Sequence, residues 1–271
     1  MISRFTSILI IVFSFQSFAS FENYEFGSRS ISLGNAFVGL ANDCWGVLYN
    51  PAGIDCEKRN EFSCYYSPAQ FGLSKLRTIA GSCKYTTKLG TFASTVRKFG
   101  FEKYKEFAVS FAYAKKVAGV YTGVNLNYYN LSIMGYGTDA CITFDAGAIL
   151  PLFKNFYLGV SVKNMNAGKI GTKKEKLPQV FLTGICYSPI EYLYLLADYH
   201  KEVGYSGSIK SGVEYKVLDI IFLRIGVSDN PDHFTSGLGL EYKIIRFDYA
   251  FLIHSELGYS QFFTISFKWN N

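Results

Sequence analysis

Residues 263–269 read FTISFKW, and this stretch decides the fold because every second residue is large and apolar. The residues between them are polar, with Lys268 the only charge. Residues 247–254, FDYAFLIH, show a similar pattern, with Asp248 among the alternate residues. Strict alternation indicates a β-strand with one apolar face and one polar face. We therefore expect the C-terminal part of the chain to be built of such strands.

The alternation extends back to about residue 59 and predicts fourteen strands. Their predicted ranges are 59–67, 74–87, 89–99, 104–117, 119–132, 140–150, 156–165, 178–188, 191–203, 206–217, 220–229, 234–243, 246–255 and 260–269. The connections alternate between tight turns and longer loops. An even strand number with short turns on one side is typical of bacterial outer-membrane barrels. The sequence predicts an all-β protein, a transmembrane antiparallel β-barrel of about fourteen strands.

The composition supports a barrel whose outer face contacts lipid. The 271 residues include 25 Phe and 21 Tyr, while only 18% are charged. A soluble sandwich or lipocalin-like barrel also alternates, so the position of the charges decides between the alternatives. The face opposite the aromatic residues carries Asp198, Glu214, Arg224, Glu241, Asp248 and Lys268. A slip of one residue would turn them toward lipid, at ~2–4 kcal/mol for each basic group near the midplane.

These six charges form a predicted ladder on the lumen side, and two interpretations are open. Their signs vary from strand to strand, so neighbouring groups can pair across the wall in a structural role. Alternatively, they line a polar path for a ligand or peptide.

The chain divides into three predicted parts. Residues 1–19 have a basic residue, a short apolar run and a small-x-small ending, which is typical of a signal peptide. The apolar run is shorter than the ~20 residues that a membrane-spanning helix needs. Residues 20–56 are predicted to form an N-terminal plug inside the lumen, and residues 57–271 form the barrel.

The plug prediction comes from residues 27–54, GSRSISLGNAFVGLANDCWGVLYNPAGI. A wall of fourteen strands encloses more space than its own side chains fill, so a segment must fold into the lumen. Small residues permit close packing on the wall, and Asn50-Pro51 provides a rigid turn. The apolar residues of the stretch argue against a disordered linker. The predicted hydrophobic ligand-binding residues are Phe37, Leu40, Trp45 and Leu48.

The same stretch resembles the N-terminal motif of the PorV/PorQ family of outer-membrane proteins, and more distantly the hatch of the FadL long-chain fatty-acid transporters. The matching positions are Gly27, Arg29, Gly34, Ala36, Phe37, Asp43, Tyr49, Asn50, Pro51, Ala52 and Gly53. Of these, we assign Gly34, Asp43, Asn50, Pro51, Ala52 and Gly53 to the plug motif. The resemblance implies a monomeric, non-enzymatic barrel in outer-membrane lipid. PorV-type members assist type IX secretion, whereas FadL-type relatives pass hydrophobic molecules.

Other kinds of site have little support. The three His residues lack metal-ligand spacing, and the sequence has no phosphate-binding loop or nucleophile elbow. We predict no catalytic residues, no metal and no cofactor. The basic residues are scattered, so no nucleic-acid partner is predicted despite the net charge of +6. Of the six Cys residues, Cys44 with Cys56 and Cys64 with Cys83 are conceivable disulfides, and apolar filling is the alternative.

Three functions remain open, of which assistance of protein secretion is the main prediction and a FadL-like channel its alternative. As a secretion protein, the chain presents its loops, especially residues 164–178, to secretion machinery or cargo proteins. As a FadL-like passive channel, it binds a fatty acid or another hydrophobic ligand in the plug region. As a structural membrane protein, it does neither.

Overall fold

The computed structural model describes residues 21, 25–171 and 174–270. The predicted signal peptide, residues 1–19, lies outside these residues. The helices are short: α1 (Ser28–Ile31) and three 3-10 helices, Cys44–Leu48, Pro51–Asp55 and Ser74–Leu76. Within the described ranges, no helix has the length and apolar character needed to span a membrane.

Fourteen antiparallel strands form a closed barrel, which confirms the predicted fold class. The strands in chain order are β1 (Asn60–Ser67), β2 (Thr78–Thr87), β3 (Gly90–Phe101), β4 (Tyr104–Val117), β5 (Val120–Ile133), β6 (Gly137–Phe153), β7 (Phe156–Lys163), β8 (Lys169–Ile170), β9 (Glu175–Lys176), β10 (Val180–Ile190), β11 (Leu193–Glu202), β12 (Ser208–Leu218), β13 (Ile221–Ser228), β14 (His233–Tyr242), β15 (Ile245–His254) and β16 (Gly258–Trp269). Each barrel strand pairs with its neighbour in the chain, except that β7 pairs with β10. Pairing of β1 with β16 closes the barrel.

The two ends of the barrel differ in their connections. At the end we call the turn end, six connections have two residues each, namely 88–89, 118–119, 154–155, 191–192, 219–220 and 243–244. At the opposite end, the loop end, the longest connections are 68–77 and 164–179. This asymmetry agrees with the sequence prediction. The strands β8 and β9 form a separate hairpin within the 164–179 connection, which the sequence analysis missed.

Two predicted strand boundaries are wrong. The strand predicted at 74–87 begins only at Thr78, because Ser74–Leu76 forms a 3-10 helix. The strand predicted at 140–150 extends over Gly137–Phe153. Its pairing with β5 continues to Ile133 opposite Gly137, and Gly135 and Gly137 adopt positive φ in the tight turn between the strands. Glycine permits that backbone conformation without steric cost, so the expected loop is reduced to three residues.

The alternation along each strand separates two faces. Outward residues are large and exposed, for example Phe111 and Ile225. Most inward residues are polar or small, and Glu214 and Arg224 are only 1% and 2% exposed. All six residues of the predicted ladder are on the inward face, with Glu241 half-buried and the others buried.

Residues 25–56, which we call the inner segment, lie inside the barrel. They form hydrogen bonds to inward-facing residues of strands on different sides of the wall, including β1, β6, β11, β14 and β16. Their apolar side chains form the main buried cluster together with inward residues such as Tyr65, Ala112 and Phe262. The core of the protein is therefore the contact between the inner segment and the wall.

Candidate functional site

The inner segment runs between the two ends of the barrel. Glu25 pairs with Lys210, close to the loop-end start of β12. At the other extreme, the Oδ1 atom of Asp55 accepts a hydrogen bond of 2.6 Å from Thr91, next to the turn-end start of β3. Any solute that crosses the barrel through its centre must therefore pass this segment.

The plug motif begins the two 3-10 helices of the inner segment. The Oδ1 atom of Asp43 accepts a 3.0 Å hydrogen bond from the backbone N–H of Trp45, which caps the first helix. The Oδ1 atom of Asn50 accepts one of 3.2 Å from Ala52, and Pro51 occupies the first position of the second helix. Such side chains satisfy backbone donors that have no partner within a helix. Within the motif, Asp43 and Asn50 are therefore the N-cap residues of the two 3-10 helices.

Asn50 also anchors the segment to the wall. Its Nδ2 atom donates to the carbonyl of Val38 at 3.0 Å and to that of Ala148 in β6 at 3.1 Å. A single side chain therefore caps a helix, joins two parts of the inner segment and contacts the barrel. Another motif residue, Gly53, lies against Ala41, whose carbonyl oxygen would be 2.4 Å from an added Cβ.

Glycines on both surfaces allow the inner segment to approach the wall closely. A Cβ atom on Gly34 would lie 2.6 Å from the carbonyl oxygen of Val227 in β13. On the wall, a Cβ on Gly226 would lie 2.1 Å from the nitrogen of Gly34, and one on Gly123 would lie 2.5 Å from the nitrogen of Ala52. Real Cβ atoms do not tolerate such distances, so backbone contacts backbone here. The role of the small residues in the inner segment was predicted from the sequence, whereas the role of the glycines in the barrel wall was not.

Asp198 holds another part of the segment. Its Oδ2 atom accepts hydrogen bonds of 2.7 Å from the N–H of Phe37 and 2.8 Å from that of Val38. It therefore forms no part of a chain of ion pairs along the ladder. A carboxylate that accepts two buried N–H donors fixes the backbone that contains them.

The strongest electrostatic contact joins Arg29 of the inner segment to Glu214 of β12. Two hydrogen bonds, of 2.9 and 2.7 Å, make this a bidentate pair. Glu214 also pairs with Arg224 at 2.5 Å, directly across from it on β13. Arg224 approaches Asp248 at 2.9 Å, and Asp248 pairs with Arg246 at 2.9 Å. We call these five residues the lumen ion network.

The lumen ion network differs from the predicted ladder in its partners. Glu241 pairs with Arg246 and Arg59, at 3.1 and 3.3 Å, and makes no pair with Arg224. Lys268 lies opposite Glu61 on β1 and 4.0 Å from Glu57. Neither Arg29 nor Arg246 was predicted as a partner. The signal for Arg246 was present in the sequence, because it shares the alternation of Asp248.

The environment of Arg29 and Asp43 shifts their ionisation. Burial lowers the pKa of Arg29, but the combined attraction and hydrogen bonding of Glu214, with smaller contributions from Asp43 and Glu57, outweigh it and hold the pKa well above its ordinary value. Burial raises the pKa of Asp43, and repulsion from Glu61 raises it further, while Arg29 opposes both. Its net pKa lies above the ordinary 3.8. Arg29 is therefore a permanent cation, whereas the charge of Asp43 is unfavourable in the folded state.

The four predicted ligand-binding residues are packed rather than open. Phe37, Leu40, Trp45 and Leu48 are all buried in the main apolar cluster. The indole Nε1 of Trp45 donates to Ser63 at 3.0 Å, and the ring of Phe37 contacts that of Tyr49. None of the four lines either of two small cavities that lie between described residues.

The two cavities are adjacent and share Phe21. The first, of about 10 Å³, is lined by Phe21, Phe26, Arg97, Phe99, Glu106 and Ala108. The second, of about 20 Å³, is lined by Phe21, Tyr129, Lys163, Asn164, Leu177, Pro178 and Val180. Both are partly enclosed spaces near the loop end. We call them together the Phe21 cavities, and no local pattern in the sequence marks them.

Arg97 gives the first cavity a buried cation. The residue is 5% exposed, and its Nε and Nη2 atoms have no hydrogen-bond partner among the described residues. Its guanidinium lies 5.3 Å from the centre of the Phe26 ring and 5.7 Å from that of Tyr129. Such contacts stabilise a desolvated cation. The site combines aromatic walls with unused donors, an arrangement that suits an apolar molecule with a polar end.

Other kinds of chemistry are not assembled in the described part of the chain. No group of three His, Cys, Asp or Glu residues there has a metal-binding arrangement. All six cysteines are free thiols, and Cys64 and Cys83 lie opposite Gly81 and Phe62, respectively, rather than opposite each other.

Comparison with protein-family profiles gives no match, and no curated protein matches. Solved structures do match. The toluene transporter TbuX of Ralstonia pickettii has a TM-score of 0.66 at 12% identity, over 92% of this chain and 99% of that one. The Pseudomonas putida toluene transporter TodX has a TM-score of 0.65 at 12% identity, over 91% and 98%. A Pseudomonas aeruginosa FadL homologue has a TM-score of 0.56 at 11% identity, over 87% and 96%.

These neighbours support the FadL-like resemblance and give no support for PorV/PorQ specifically. At such low identities the comparison establishes architecture and leaves activity open. The chain has the barrel fold of FadL-type outer-membrane hydrocarbon channels.

Proposed function

We propose that the protein is a passive outer-membrane channel for hydrophobic small molecules, with residues 20–56 acting as a plug that closes the lumen. The observation that carries this proposal is a closed barrel that resembles hydrocarbon transporters and has its lumen filled by the inner segment, with the small Phe21 cavities as the remaining space near the loop end. The outward apolar residues suit contact with membrane lipid, and the inward charges suit a closed interior. The barrel acts as a monomer after removal of residues 1–19.

The inner segment must move for a solute to pass. Its contacts with the wall are numerous and its apolar residues are buried, so the described arrangement is the closed state. In this arrangement the Phe21 cavities are too small for a hydrophobic ligand, and the first of them lies between Phe26 of the inner segment and the wall. Binding there favours any conformation in which the cavities are larger, which couples the ligand to opening.

Secretion assistance, the main prediction from the sequence, is less well supported than its alternative, the channel. The structural neighbours include toluene and other monoaromatic hydrocarbon channels, which favours transport of small molecules. Within the 164–179 connection, Lys169, Lys174 and Lys176 are exposed, but Lys174 pairs with Asp139 of the same chain.

The proposal is tested by filling a cavity. Ala108→Phe adds an aromatic ring beside the first Phe21 cavity and so prevents this space from widening, whereas Ala140→Phe adds the same ring to the exposed face of β6 as a control. Cells that display each variant in the outer membrane are given radiolabelled toluene or oleate. We expect uptake of at least one compound to fall at least fivefold in Ala108→Phe and to stay unchanged in the control. Uptake that is equal with and without the wild-type protein contradicts the proposal.

The choice of the two compounds also tests the role of Arg97. Its unused donors can bind a carboxylate, and toluene has none. If the natural ligand carries a carboxylate, Arg97→Met reduces binding of oleate by the purified protein and leaves binding of toluene unchanged. Equal effects on both compounds would show that Arg97 acts only on the shape of the cavity.

A further inference from the structure

The outer surface of the barrel has a one-sided charge distribution. Every Asp and Glu of the fourteen barrel strands is on the inward face of its strand, from Glu61 on β1 to Asp248 on β15. The charged residues that point outward from these strands are lysines. The outer surface therefore presents cations without compensating carboxylates.

Three of the outward cations lie together near the loop end of adjacent strands. Arg77 directly precedes β2 in extended conformation, Lys98 is on β3 and Lys105 is on β4. Each is exposed and each is next to a buried residue, namely Thr78, Arg97 and Glu106. The alternation of the strands therefore points all three away from the lumen. We call this set the cationic patch.

The register brings the three side chains within reach of one ligand. Lys105 is opposite Gly100 on β3, and Thr78 is opposite Phe99, so Arg77 comes next to Gly100 on its other side. Arg77 and Lys105 are thus two strands apart, a distance of about 10 Å. Lys98 lies two residues from Gly100 along β3, a distance of about 7 Å. Because Gly100 has no side chain, nothing on β3 separates Arg77 from Lys105.

The patch also marks the edge of the apolar surface. Lys98 is opposite Ile79 on one side and Phe107 on the other, and both are exposed apolar residues. Basic groups cost ~2–4 kcal/mol at the bilayer midplane and little near its interfaces, where long side chains reach the headgroups. Lys75 and Lys103 are exposed in the neighbouring loop-end connections, with Glu102 as the nearby exposed acid.

The cations of the patch have no ion-pair partner within the described part of the chain. No ion pair joins Arg77, Lys98 or Lys105 to any carboxylate among residues 21, 25–171 and 174–270. This contrasts with the inward arginines of the lumen ion network, each of which pairs with a carboxylate. Elsewhere around the loop end, the outward residues of the strands are mostly neutral, for example Ser132, Ala140, Ile209 and Ile253.

We propose that Arg77, Lys98 and Lys105 form a binding site for the phosphate groups of an anionic lipid in the leaflet at the loop end. In the outer membrane this is the leaflet of phosphorylated glycolipid. Guanidinium and ammonium groups above an apolar surface match a lipid with phosphates above acyl chains. The site rests on the membrane location in the proposed function and is independent of any transported ligand.

The test uses the purified full chain in neutral detergent and native mass spectrometry. Lipid A with two phosphates is the probe, and phosphatidylcholine and inorganic phosphate are the comparison ligands. The variant is Arg77→Gln/Lys98→Gln/Lys105→Gln. The control variant is Lys88→Gln/Lys115→Gln/Lys116→Gln, which removes the same charge from exposed residues near the turn end. Folding of both is checked by heat-dependent mobility on gels.

We expect the patch variant to bind lipid A at least tenfold more weakly than the wild type, since each surface cation contributes about fivefold. The control variant should bind within twofold of the wild type, and phosphatidylcholine should not distinguish the three proteins. Equal losses in both variants would reveal non-specific attraction and overturn the proposal. Equal binding by the patch variant and the wild type would overturn it as well. Displacement of lipid A by millimolar inorganic phosphate would show a free-phosphate site instead of a lipid site.

The outcome is separable from that of the proposed function. Uptake of toluene or oleate should be unchanged in the patch variant, because its residues point away from the lumen. If the wild type takes up neither compound but binds lipid A through the patch, the lipid site stands and the channel proposal falls.

Discussion

The lumen ion network makes a strong prediction about Glu214. Glu214→Gln keeps the size of the side chain and removes its charge. Arg29, Arg224 and Arg246 then surround a neutral amide; Asp248 remains the buried carboxylate partner of Arg224 and Arg246, and Arg29 keeps only the longer contact with Asp43, at 3.5 Å. Arg224 and Glu214 are almost completely buried, so water cannot replace the lost partner.

The expected cost follows from that burial. Removing one partner of a buried ion pair typically destabilises a protein by about 3–5 kcal/mol. Glu241→Gln is the matched control, because Glu241 also pairs with two arginines but is half-buried. Solvent screens such a pair, so its loss should cost less than about 1 kcal/mol. The double variant Arg29→Met/Glu214→Gln should be less destabilised than the sum of the two single variants, since both partners are gone.

The assay is reversible unfolding of the barrel in lipid vesicles with guanidinium, followed by tryptophan fluorescence. The free energies of unfolding of the wild type, Glu214→Gln and Glu241→Gln are compared under one set of conditions. If Glu214→Gln costs no more than Glu241→Gln, the network does not stabilise the protein in the way its geometry indicates. Additive effects in the double variant would contradict direct coupling of Arg29 and Glu214.

Two further predictions concern the inner segment. Gly226→Ala should destabilise the protein by about 1–3 kcal/mol, because the added Cβ would overlap the backbone of Gly34. Gly81→Ala is the control and should be close to neutral, because the nearest atom to its Cβ would be 3.9 Å away. Equal unfolding free energies for the two variants would refute the close approach of the inner segment to the wall. Asp43→Asn should raise stability at neutral pH, since its folded-state pKa lies above the ordinary 3.8 and ionisation disfavours folding. The gain in unfolding free energy of Asp43→Asn over the wild type should shrink as the pH falls toward 3.8. A variant that is less stable than the wild type across the whole pH range would contradict the predicted direction.

The sequence predicted the barrel because strand alternation is a local property. In residues 263–269 the alternation of apolar and polar side chains is visible within seven positions, and its repetition along the chain predicts the sheet that the structure shows to be closed. The boundaries that failed, at Thr78 and Gly137, depend on a 3-10 helix and a tight turn. Turn geometry of this kind is set by a few residues and leaves little trace in a periodic pattern.

The interior was less predictable because its contacts join distant parts of the chain. Arg29 and Glu214 are 185 residues apart, and no local signal pairs them. Arg246 and the wall glycines such as Gly226 could have been found, since both fall on inward positions of the alternation. The Phe21 cavities depend on how the inner segment is seated, which the sequence alone does not specify.

The central claim is that one face of the strands contacts lipid while the inner segment is enclosed, and the two tryptophans of the chain test it directly. Trp269 points outward from β16 and is 42% exposed, whereas Trp45 is buried in the inner segment. Single-tryptophan variants, Trp45→Phe and Trp269→Phe, are inserted into vesicles of lipid brominated on the acyl chains, which quench nearby indoles. We predict strong quenching in Trp45→Phe, where Trp269 remains, and little quenching in Trp269→Phe. Quenching of Trp45 equal to that of Trp269, or absence of quenching in both variants, would contradict the account.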